Sequence, residues 1–156
     1  MEIPYLPDEI LYTIFKAVGE CDAKNLGSLL RAGKRALRLV YKEDLLRTCN
    51  IQSLYMENHE DILEGGKARC FFDKCLRSAN PVANYVEALN RIIHLRDMDG
   101  GIELLESNGF NHPKSTLAAA LCCACSGDDC SASKLFKVFI SSHGHLHEEG
   151  AITIGC

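Results

Sequence analysis

The run LCCACSGDDC, Leu121 to Cys130, and the run HGHLH, His143 to His147, gather thiols and imidazoles in the numbers a tetrahedral zinc ion takes. Zinc sites draw their ligands from paired spacings, and no clean Cys-x₂-Cys pair with a partner pair accompanies these residues. Leu121, Cys122 and Cys125 share one face of a helix, where small thiols let neighbouring helices approach. Structural thiols are therefore the expectation, with metal as the alternative. His143, His145 and His147 are expected in an exposed turn or tail. The chain holds nine cysteines, an odd number at irregular spacings. That usage fits buried thiols in a reducing compartment, nucleus or cytoplasm, better than a bridged framework.

Catalysis has little else to draw on. The sequence holds no Gly-x-Ser-x-Gly elbow, no phosphate loop and no dinucleotide-binding glycine pattern. A cysteine nucleophile needs a base or a helix N-terminus to lower its pKa. Cys70 is the one candidate, and nothing in the sequence aims a base at it. No enzymatic activity and no cofactor is expected. Arg31, Lys34, Arg35, Arg38 and Lys42 recur at helical spacing and form a basic stripe. A solvated helix face explains such a stripe, which could also steer an acidic partner. Nucleic acid is not an expected partner: no aromatics interleave with these charges, the net charge is −4 and the pI is about 5.8.

The elements that carry these residues read as helices throughout. Ile10, Leu11, Ile14, Phe15 and Val18 recur at helical spacing, with Pro7 suited to the first turn and Asp8 and Glu9 to the positive end of the dipole. Gly19 is a natural stop. Asp22 can cap a second helix through Leu26, Leu29 and Leu30, and Gly33 marks a break. Residues 34–48 predict a third helix with Leu37, Val40, Tyr41 and Leu45 inward. Residues 52–67, polar and acidic and ending in Gly65-Gly66, read as a connector with room for one short helix. Beyond them, shifting the chain by 32 residues lays Pro81 on Pro113, Ala88 on Ala120 and Leu89 on Leu121. Shorter amphipathic stretches precede each copy, at 68–78 and 101–109, and a third starts at Ala132. Helix pairs at such a period suggest a stacked helical array. Only the tail segment AITI hints at a strand. The longest apolar run, Leu117 to Cys125, is far short of the ~20 residues that span a bilayer. Glu2, Pro4 and Asp8 stand where a signal peptide would be basic and then apolar. No membrane partner is expected.

The stretches LPDEILYTIF and NLGSLLRAGKRALRL resemble an F-box. Leu6, Pro7, Ile10, Leu11 and Ile14 match its Leu-Pro opening, and Leu26, Leu29 and Lys34 match its second half. Gly33 stands where Cys is common and Ala36 where Trp or Phe is common, two departures that remove apolar bulk. Downstream, FFDKCLRSANPVANYVEAL resembles the degenerate Sel1-like repeats, relatives of the tetratricopeptide repeat, of plant F-box proteins. Phe71, Cys75, Asn80, Pro81, Ala83 and Tyr85 fit that pattern, and Ala79 replaces its Gly.

The resemblance implies an all-α chain: an F-box-like three-helix module at 1–48, a connector at 49–67, Sel1-like repeats at 68–142 and a tail at 143–156. It implies a non-catalytic adaptor of a cullin-based ubiquitin ligase. The adaptor would dock on a Skp-family linker, and through it on a cullin scaffold, by Leu6, Pro7, Ile10, Leu11, Ile14, Leu29, Leu30 and Lys34. The repeats would hold an unidentified protein substrate. A physical argument runs alongside: three short helices in about 40 residues cannot bury all their apolar faces among themselves. Two other readings stay open. One is a stand-alone helical interaction module that has lost the linker; the other is a small Cys/His metal-binding protein.

Overall fold

The computed structural model describes residues 5–143. Among them the chain is all-helical, with no strand. The AITI segment, His145 and His147 lie outside the described residues.

The chain divides into two compact units, 1–86 and 87–156, with the boundary inside one helix. The first unit opens with α1 (Asp8–Cys21). A 3₁₀ turn follows over Ala23–Asn25, where the Asp22 carboxylate accepts from the Lys24 N–H at 2.9 Å. Then come α2 (Leu26–Leu30), α3 (Lys34–Val40) and α4 (Glu43–Thr48). The single helix expected over 34–48 is thus two. Lys42, at φ −66° and ψ 134°, breaks it, and its carbonyl starts α4 by accepting from the Leu46 N–H. The break turns Leu45 and Leu46 into the core beside Leu39 and Val40, while Leu37, expected inward, is exposed. Gly33 precedes α3 at φ 121°, a region that side-chain-bearing residues rarely adopt.

Residues 49–67 are more than a connector. They hold two short helices, α5 (Gln52–Glu57) and α6 (His59–Ile62), and they bury Ile51 and Ile62. The division of the chain falls later, between Val86 and Glu87. The reason is hydrophobic: α7 (Arg69–Arg77) and the start of α8 (Pro81–Ile93) supply Phe72, Cys75, Ala83 and Val86 to the same core as Leu11, Phe15, Leu26 and Leu45.

Asn80 organises the junction of α4, α7 and α8. Its backbone N–H donates to the Cys75 carbonyl, and the Ala79 N–H donates to Leu76, both at 3.0 Å. This is a Schellman cap, with Ala79 in the left-handed position at φ 55°. The Asn80 carboxamide oxygen accepts from the Val82 and Ala83 N–H groups at 3.1 Å, starting α8. Its Nδ2 donates to the carbonyls of Leu46 and Cys49 at 2.9 Å, satisfying the last turn of α4.

The second unit continues α8 and adds α9 (Met98–Asn108), α10 (Pro113–Cys125) and α11 (Asp129–His143). The Asp97 and Asp128 carboxylates start α9 and α11 by accepting from the N–H groups of Gly100 and Ser131 at 3.0 Å. Both α8 and α10 are 13 residues long and begin on the prolines that the 32-residue shift superposes. α10 packs against both α9 and α11. Small buried residues, Gly101, Ala119, Ala120 and Ala132, permit close helix approach; a Cβ on Gly101 would lie 2.3 Å from Ile92.

Candidate functional site

In the first unit the sequence gives α1 apolar residues beyond those that face the core. Leu11 and Phe15 point into the core, at 2% and 4% exposure. Ile10 and Ile14, one turn apart, face outward at 48% and 45% exposure, flanked by exposed Pro7, Thr13 and Ala17. A surface helix ordinarily keeps its outer face polar. Here Glu9, Thr13 and Glu20 hold the side away from the core, and Pro7, Ile10, Ile14 and Ala17 form an exposed apolar stripe between that side and the core face.

Charged contacts fix the helix that bears the stripe. Asp8, in the first turn, pairs with Arg35 Nε and Arg38 Nη2 of α3, each at 2.8 Å. Arg35 also donates from Nη2 to the Leu6 carbonyl, holding α3 against the start of α1. The Arg35 hydrogen bond holds the Asp8 carboxyl below the usual carboxylate range. Farther along the same side of α1, Asp44 of α4 accepts from Lys16 Nζ at 2.5 Å, Tyr12 Oη at 3.2 Å and Arg47 Nη2 at 3.0 Å. These bonds, Lys16 foremost, bring the Asp44 pKa down to about 2. The basic stripe is therefore partly committed. Arg35 and Arg38 serve Asp8, and Lys42 lies 4.5 Å over the Tyr12 ring. Lys34 is exposed beside them.

The eight residues expected to meet a linker thus fall into three groups. Pro7, Ile10, Ile14 and Lys34 are exposed. Leu6, Leu29 and Leu30 are half-buried against the core of their own unit. Leu11 is core, because the same turn of α1 that exposes Ile10 rotates Leu11 toward the interior. Ala36 of α3 is fully buried.

The structure agrees with structural thiols at Cys75 and Cys122 and differs at Cys125. Cys75 is buried, Cys122 half-buried and Cys125 exposed; the buried thiol of α10 is Cys123. That helix buries Thr116, Ala119, Ala120 and Cys123, spaced at three and four residues, and so turns Leu121 and Cys125 outward. The eight cysteines among the described residues are free thiols. No group of three or more His, Cys, Asp or Glu side chains among the described residues could hold a metal ion. Cys70 is exposed on α7. No helix among the described residues is long and apolar enough to cross a membrane.

In the second unit the end of α9, the start of α10 and α11 enclose an open cleft of about 330 Å³. Gly109, Phe110, Thr116, Leu135 and Val138 line it, with Glu106 and Ser142 at its polar edges. Phe110 is almost fully exposed there. Nearby, Ser115 is buried between two polar partners: Asn108 Nδ2 donates to its Oγ at 2.8 Å and His112 Nδ1 lies 2.9 Å from it.

No family model, curated protein or solved structure matches this chain.

Proposed function

We propose that this chain is a non-catalytic adaptor whose α1 docks on the Skp-family linker of a cullin-based ubiquitin ligase in the nucleus or cytoplasm. In this reading the helix pairs of the second unit hold a protein target, with the cleft beside Phe110 as the contact. Ubiquitin transfer takes place on other subunits, and this chain raises the local concentration of the target.

One observation carries the reading. Pro7, Ile10 and Ile14 form an exposed apolar stripe about 100° around the helix from Leu11 and Phe15, which already feed the core. Neither helix stability nor core packing needs those two isoleucines on the outside. Exposed Lys34 adds a charge that suits an acidic partner. Amide hydrogen exchange of the full chain, with and without a purified Skp-family linker, tests the reading. Exchange in α1 should slow on mixing, most strongly around Ile10 and Ile14. Protection confined to the second unit, or absent, contradicts it.

A second reading, a helical interaction module without linker binding, draws on Gly33 and Ala36. Gly33 offers no side chain, and Ala36 spends its methyl group in the core. The second half of the docking pattern is therefore left to half-buried Leu29 and Leu30 and to exposed Lys34.

A further inference from the structure

The core of the first unit contains two sulfur atoms that the adaptor reading does not use. Cys49 ends α4 in an extended conformation, and Cys75 lies on α7. Both are buried, and their Sγ atoms are 3.8 Å apart. Sulfur atoms at that distance are in contact, and a disulfide brings them to ~2.05 Å. The surroundings of the two thiols are unequal. Cys49 Sγ lies 3.8 Å from the Cys75 thiol and, on another side, 3.8 Å from Asn80 Nδ2. Its own S–H can donate to the Leu46 carbonyl at 3.3 Å.

We propose that Cys49 and Cys75 form an oxidisable dithiol site for hydrogen peroxide, whose disulfide ties the end of α4 to α7. Cys49 is the attacking sulfur. The hydrogen bond from Cys75 lowers the Cys49 pKa, whereas that same contact and burial push Cys75 up. The Cys49 thiolate attacks one peroxide oxygen; the O–O bond breaks, hydroxide leaves and the sulfur becomes a sulfenic acid. Cys75 sulfur then attacks the Cys49 sulfur; the S–O bond breaks and the oxygen leaves as water, taking the Cys75 proton. The thiolate's own proton converts hydroxide to water. Two thiols and one peroxide thus give one disulfide and two waters, with sulfur oxidised and peroxide oxygen reduced. Burial makes the first step depend on local opening at the end of α4, so it is slower than oxidation of exposed thiols. The contact between the two sulfurs decides which product forms.

The bond would close the chain across α5 and α6 and constrain the unfolded state. The test treats the full chain with hydrogen peroxide under native conditions, alkylates the remaining thiols and digests with trypsin. Cleavage separates peptide 48–67, which holds Cys49, from peptide 75–77, which holds Cys75, and places Cys70 in peptide 70–74. The expected product is 48–67 joined to 75–77. Its formation should raise Tm by about 10 °C, reversibly with dithiothreitol. Cys75→Ala should lose both effects; if that variant does not fold, the wild-type mass and Tm shifts decide alone. A native protein that yields no such peptide, yields it only in urea, or gains no Tm with it overturns the proposal.

Discussion

Asn80 shows how one residue can serve three helices, its backbone closing α7 and its side chain holding α4 and α8. It is 1% exposed, and each of its carboxamide atoms is used twice. Asn80→Ala would leave the Leu46 and Cys49 carbonyls buried without their donor and would remove the cap of α8. The expected cost is about 3 kcal/mol, read as a lower urea midpoint. Ala79 gives a prediction of opposite sign. At φ 55° it occupies a position where a side chain costs about 1–2 kcal/mol. Ala79→Gly relieves that strain but loosens the unfolded chain, so a net gain of about 0.5–1 kcal/mol is expected. An unchanged or lower urea midpoint would contradict it. The SANP segment flagged Asn80 only through a resemblance. The hydrogen bonds to α4 were not legible, because their partners lie more than thirty residues away in sequence.

At the scale of elements, the helices were legible and their faces only partly so. Period and caps locate α1, α2, α7, α8 and α10, and the 32-residue shift marks the prolines that open α8 and α10. The break between α3 and α4 carries no Gly or Pro. It exists because turning the chain at Lys42 lets Leu45 and Leu46 join the core, a tertiary gain that local propensity does not register. Cys123 and Cys125 could not be sorted either, since α10 is rich in small apolar residues on every side. The α1–α4 contact carries a pH prediction. Asp44 titrates near 2 in the folded protein because Lys16 and Arg47 stabilise its charge, whereas an unfolded Asp titrates near 4. The unfolded chain therefore binds the proton more readily. The Asp44 contribution is complete above about pH 4 and is lost as pH falls toward 2. Asp8 and Asp22, both held below their ordinary values, act in the same direction. Thermal melts should show Tm falling through that window. Asp44→Asn should lower Tm at neutral pH and flatten the acid decline; an equally steep decline would assign it to other carboxylates.

The whole molecule combines a first unit that displays an apolar helix face with a second unit built from close-packed helices around a cleft. The all-helical class was legible from periodicity. The division at Val86–Glu87 was not, because the polar stretch at 49–67 hides Ile51 and Ile62, which commit it to the first core. The central claim is that the exposed stripe of Pro7, Ile10 and Ile14 on α1, and not the adjacent face of Leu11 and Phe15, docks on a partner. Isothermal titration of a purified Skp-family linker into the full chain tests it most directly. Ile10→Ala with Ile14→Ala removes two exposed anchors, each worth about 1–3 kcal/mol at an interface. The account predicts binding by the wild type, a loss of affinity of about 100-fold in the double variant, and a Tm within a few degrees of wild type. A folded double variant that binds as tightly as the wild type, or a wild type that does not bind the linker, contradicts it.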